Sequence, residues 1–190
     1  MVALKELFNE TVLKDFLGLK KREVLATVKT LRVSKYNDYY TLAADFMSSS
    51  KIAPLLLQEA QMKLLSQADD FKGTTPYIVV HLQVPFVGFP KLFTCIPEDA
   101  PNDISPSAEI CKNHLIIGLS INIHLSPEKY REKLQEKFAL INSYIYKINK
   151  EVHSYNNWLE TEVSSLIQER YEYIQQVQKA LNSFGLARVE

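Results

Sequence analysis

The chain has 190 residues, 46% of them apolar and 23% charged, and its 22 Lys and Arg are matched by 22 Asp and Glu. That length and apolar content build a globular core and exclude a disordered tail. The zero net charge excludes the broad basic surface of a typical nucleic-acid binder, and two cysteines with no signal peptide or long apolar run point to a reducing cytoplasm and no membrane.

Leu4, Leu7, Phe8, Val12 and Phe16 fall near helical spacing ahead of Gly18, so a first helix is expected over residues 2–17, stopped by the glycine. A second is expected from Arg22 to Leu31, with Val24, Leu25, Val28 and Leu31 on one side. Lys20, Lys21 and Arg22 then fall in the turn between them. This is the densest basic cluster and the candidate nucleic-acid contact, although a solvated turn explains it equally well. The KYNDYYTLAADFMSS stretch reads as a third helix, broken ahead of Pro54 because a residue before proline is pushed out of helical geometry.

From Lys72 the texture becomes β-branched and aromatic between Gly and Pro. TPYIVVHLQVPF, KLFTCIP, AEICK and HLIIGLSINIHL read as four strands. Their short connections predict an antiparallel meander, and in SINIHL Ile121, Ile123 and Leu125 alternate with Asn122 and His124.

Ser126-Pro127-Glu128 carries a hydroxyl cap, proline at the first helical position and an acid in the first turn. A stripe follows through Tyr130, Leu134, Phe138, Ile141, Ile145, Ile148, Val152 and Tyr155, and a second through Leu159, Val163, Leu166, Ile167, Ile174, Val177, Leu181 and Phe184. Asn156 and Asn157 lie between them, with Glu160 in capping-box position to Asn157. Two helices folded back as an antiparallel hairpin are therefore expected. The fold class is α+β: a helical part over 1–71, an antiparallel sheet over 72–125, a helical hairpin over 126–185 and a linker or tail over 186–190, together forming one structural unit.

Chemistry is thinly represented. Cys95, Cys111 and His114, with His81 or His124, supply zinc-type ligands, but only Cys111 and His114 have ligand-like spacing and no partner pair accompanies them. Nothing charged flanks Cys95 to activate its thiol. No hydrolase, zincin or phosphate-loop motif occurs. No catalytic, cofactor or metal residues are assigned, and an enzyme is not expected. Gln61-Met62-Lys63 satisfies a relaxed (E/Q)-x-K pattern without a preceding acid on a strand. Tyr144, Tyr146, Trp158, Tyr171 and Tyr173 are the candidate contacts to a protein partner or a second copy, since aromatic side chains suit interfaces; stacking on single-stranded bases is the weaker alternative.

Two stretches carry a resemblance. VPFVGFPKLFTCIPED with HLIIGLSINI, and SYNNWLETEVSSLIQERYEYIQQVQKALNSFGL, are similar over residues 72–186 to the front region of a broad, poorly characterised bacterial family linked to anti-phage defence. The matched positions are Pro85, Phe86, Gly88, Leu92, Phe93, Pro97, Asn156, Leu159, Arg170, Leu181 and Gly185. In that family a glycine closing the helices leads into a C-terminal PD-(D/E)XK-type endonuclease-like domain, whose carboxylates and lysine have no counterpart here. The resemblance implies a non-enzymatic sensing, regulatory or assembly module acting through protein contacts, with ALNSFGLARVE as a helix stop and linker towards a further domain or effector. A nucleic-acid-binding module or a fragment of a metal-dependent nuclease is the alternative.

Overall fold

The structure is a computed structural model, described here for residues 3–31, 38–72, 75–100, 105–122, 124 and 126–184. The expected linker, with Gly185, lies outside the described residues, as do Ile123 and Leu125. The fold is α+β, with an antiparallel sheet and a long C-terminal helix. In chain order the elements are β1 (Lys5–Glu6), β2 (Thr11–Val12), α1 (Leu13–Lys29), α2 (Tyr39–Ser50), β3 (Leu56–Leu57), β4 (Lys63–Lys72), β5 (Thr75–Val87), β6 (Cys95–Ile96), β7 (Ser107–Ile110), β8 (His114–Asn122), α3 (Pro127–Trp158) and α4 (Ser164–Ser183). They form two compact units interleaved in sequence, a sheet unit of residues 1–16 and 52–153 and a helical unit of residues 17–51 and 154–190.

In the sheet unit the strand order is β1-β7-β8-β5-β3, all antiparallel, with β4 also on β5. The thirteen-residue β5 is the spine, paired along Tyr77–Pro85 with β8. The meander through KLFTCIP is corrected: Pro90–Thr94 form a 3₁₀ turn that buries Leu92 and Phe93, and β6 pairs in parallel with β2 instead. Gly88 makes that departure possible. Its φ is +114°, and a Cβ there would lie 2.3 Å from the Pro54 carbonyl oxygen, so any side chain would meet both backbone strain and a collision.

Residues 1–71 are not wholly helical. The ten-residue β4 replaces the expected helical texture, and its register slips between Leu64 and Ser66. That bulge puts two leucines side by side and hides the period-two alternation of a strand. Leu4–Val12 is likewise not helical: Leu7 N donates to Pro106 O at 2.7 Å and Phe8 N to Phe93 O at 2.6 Å. Phe8 adopts a φ of 56°, and its ring stacks on Tyr144 at 4.7 Å between centroids.

The α3 segment of this unit is fastened to the strands by side-chain to backbone bonds. Lys137 Nζ donates to Gly118 O at 2.8 Å and the Tyr130 hydroxyl to Asn122 O. Asn149 bonds both backbone groups of Leu55, accepting from N at 2.8 Å and donating to O at 2.7 Å. Leu115 and Ile117, on one face of β8, are buried with Val84 of β5, as are Phe138, Ile141, Tyr144, Ile145, Ile148 and Val152 of the helix.

In the helical unit, α1 passes through Gly18 without a break. A Cβ at Gly18 would meet nothing within 4 Å, so the glycine occupies an ordinary helical position. Its intrinsic cost of about 1 kcal/mol is outweighed by the burial of Leu17, Val24 and Val28. The α2 helix runs as its sequence suggests. Asp38 caps it by accepting from Thr41 N at 2.8 Å, and this bond holds its carboxyl below the usual range.

The expected hairpin is corrected too. Asn156 and Asn157 are helical, and α3 continues through a π-turn at Leu159–Val163 into α4. Tyr155, Leu159, Val163 and Ile167 are all buried, and the wider turn keeps them on one face across the junction. The capping signal at Asn157 is overridden because a reversal there would expose that face.

Candidate interaction surface

The chemically capable side chains are scattered. Cys95 is fully buried and its Sγ donates to Lys91 O at 3.5 Å. Burial pushes its thiol up to about 11, with Lys91 pulling the other way and Glu10 and Glu151 adding to the rise, so little nucleophilic thiolate forms near neutrality. Cys111 lies in the β7–β8 turn, where its backbone N donates to His114 O. Burial and then Glu109 raise its thiol as well.

His81 is elsewhere, bonded through Nδ1 to Ser66 Oγ at 3.0 Å across the β4–β5 pair. Sequence reasoning did not connect this serine and histidine, because β4 was not legible as a strand. The bond is an exposed cross-strand contact, and among the described residues no carboxylate is hydrogen-bonded to the ring to orient it as in a nucleophilic triad. Among the described residues no three His, Cys, Asp or Glu side chains converge on a volume fit for a metal ion, and no polar or charged residue is buried. Lys63 opens β4 opposite Gln83.

The five aromatic candidates separate. Tyr144 is 1% exposed and stacked on Phe8, so it belongs to the core of the sheet unit. Tyr146, 73% exposed, stands on the outer side of α3. In the helical unit Trp158 is half-buried beside Tyr155, with Lys21 Nζ 4.9 Å from its ring centroid. Tyr171 packs edge-on to Tyr39. Tyr173 is exposed, with the Arg170 guanidinium 5.4 Å from its ring centroid.

The basic cluster is not in a turn. Lys20, Lys21 and Arg22 lie within α1 and point in different directions: Lys20 pairs with Glu23 at 2.8 Å, Lys21 covers Trp158, and Arg22 is exposed. Helical geometry turns successive residues by about 100°, so three neighbours cannot form one cationic face.

A larger surface runs along α4. Val163 and Ile167 are 0% exposed, whereas Val177, Leu181 and Phe184 are 40%, 47% and 75% exposed. The sequence stripe runs through all of them, but burial stops part-way. Beside its start, Leu25, Val28 and Lys29 of α1 and Leu166, Glu169 and Arg170 of α4 line a groove of about 380 Å³. Arg170 Nε is buried there without a hydrogen-bond partner. The groove was invisible in the sequence because its two walls are some 140 residues apart along the chain.

No family model, no curated protein and no solved structure matches the chain. Among the described residues no helix is long and apolar enough to cross a membrane.

Proposed function

We propose that the protein is a non-enzymatic interaction module that docks a protein through the C-terminal end of α4. The observation that carries this reading is the exposed continuation of a buried helical stripe. Val177, Leu181 and Phe184 extend the face on which Val163 and Ile167 are buried, and an apolar stripe on a helix is stable in water when another surface covers it. The uncharged residues Tyr173, Gln178 and Ala180 flank the stripe, as suits the charge-poor centre of an interface. The sequence resemblance to the front of a defence-linked bacterial family supplies the biological setting: a cytoplasmic sensing, regulatory or assembly component of an anti-phage system.

A photoreactive amino acid at Val177, with Tyr146 as the control position, tests this in the native cell. A protein-sized adduct is expected from Val177, absent from Tyr146 and lost on Leu181→Asp. Equal labelling at both positions, or none at Val177, overturns the reading.

A further inference from the structure

The geometry points to a second copy of this chain as the occupant of the α4 surface, lying antiparallel so that each copy's Phe184 seats in the other's α1–α4 groove. This rests on the docking reading above and names its partner. At 3.6 residues per turn, Leu166, Arg170, Tyr173, Val177, Leu181 and Phe184 fall within an arc of about 80°. Their three- and four-residue spacing is that of a coiled-coil seam, with Ile174 at its margin.

Charge decides the direction of pairing. In a parallel pair each seam residue meets itself, so Arg170 would face the second copy's Arg170 in a desolvated layer, and burying like charges is strongly unfavourable. An antiparallel pair with its two-fold axis between Gln175 and Gln176 avoids this. Ile174 then faces the second copy's Val177, Arg170 faces Leu181, and Ile167 is level with Phe184. Tyr173, within the seam, comes beside the small Ala180, and Glu169 is the charged residue at the seam's edge.

The same register brings Phe184, 75% exposed at the C-cap of α4, to the level of Ile167, between Leu166 and Arg170 of the groove. Sliding the helices by one heptad would leave the groove empty. The outer edge of β4 is a poor candidate for self-pairing: among the described residues β4 pairs only with β5, it is bulged between Leu64 and Ser66, and the exposed Asp69 puts a charge in its regular stretch. Three turns of paired helix cover few side chains, and association carries a large entropic cost, so the dimer forms with rising concentration instead of being obligate.

Two chains test the pairing, one carrying Ile174→Cys and the other Val177→Cys, each with Cys111→Ser and otherwise full length. Mixed and gently oxidised, they should give mainly the mixed disulfide, with loss of that product on Phe184→Ala. A dominant Ile174→Cys homodimer would show parallel pairing and overturn the register. Sedimentation should show wild type shifting towards dimer as concentration rises, with the shift lost in Leu181→Asp while its circular dichroism is unchanged. A wild type that stays monomeric, with photoreactive Val177 capturing a different protein, overturns self-pairing and leaves the docking reading intact. Failure of Val177 to capture any protein removes both.

Discussion

The α3 segment in the sheet unit and the far end of α4 are written in similar apolar spacing, yet they end in opposite conditions. Along α3, Ile141, Ile148 and Val152 are fully buried, and Lys137 and Asn149 fasten the helix to backbone groups of the sheet unit. Along α4 beyond Ile167 the stripe opens to solvent, and on the opposite side of the helix Gln168 bonds locally, to Glu172 at 2.9 Å. A stripe therefore marks a face to be covered without saying by what. Side-chain bonds to distant backbone mark where the cover is internal.

The contrast is most vulnerable at Gly88, on the internally covered side. Gly88→Ala should destabilise the sheet unit by about 3 kcal/mol or more, through a left-handed φ and a Cβ driven into Pro54. Chemical denaturation measures this, and a loss under about 1 kcal/mol would mean that the 88–89 turn relaxes freely. Asn149→Ala comes next. It removes both hydrogen bonds to Leu55 and should cost roughly 2 to 4 kcal/mol in the same assay, since two backbone groups lose their partners. No comparable cost is expected from Gln168→Ala on α4, whose bond is local and exposed.

A smaller effect is expected from Lys137. Burial lowers its affinity for a proton below the ordinary lysine value of 10.5, so in the alkaline range just below that value the unfolded chain holds more protons than the folded one. Stability contributed by this group therefore rises as pH climbs through that window. Comparing wild type with Lys137→Met by denaturant titration across it should show wild type gaining stability relative to the variant as pH rises, and a constant difference would place the ammonium in full contact with water.

Much of the fold was legible where one face of an element is buried. The strands read in TPYIVVHLQVPF, AEICK and HLIIGLSINIHL are present as β5, β7 and β8, and the start at Ser126-Pro127-Glu128 is a direct imprint of capping: the backbone amide of Glu128 and then the Ser126 side chain lower the Glu128 carboxyl. What escaped were elements set by tertiary context. The residues of β4 from Lys63 to Asp69 are exposed and its bulge breaks the alternation. Gly18 and Asn157 carry local stop signals that the packing around Leu17 and Leu159 overrides. At the interaction surface, the stripe from Val163 to Phe184 could be read from spacing alone. Which half of it the fold covers could not, because that depends on where α1 and α2 end.

Hydrogen exchange resolved along the C-terminal helix, at low and at high protein concentration, addresses the division between covered and uncovered stripe most directly. Amides of residues 141–167 should exchange slowly at both concentrations, whereas those of residues 174–184 should exchange fast when dilute and markedly more slowly when concentrated. Uniform protection along both stretches, unaffected by concentration, would contradict an uncovered surface on α4.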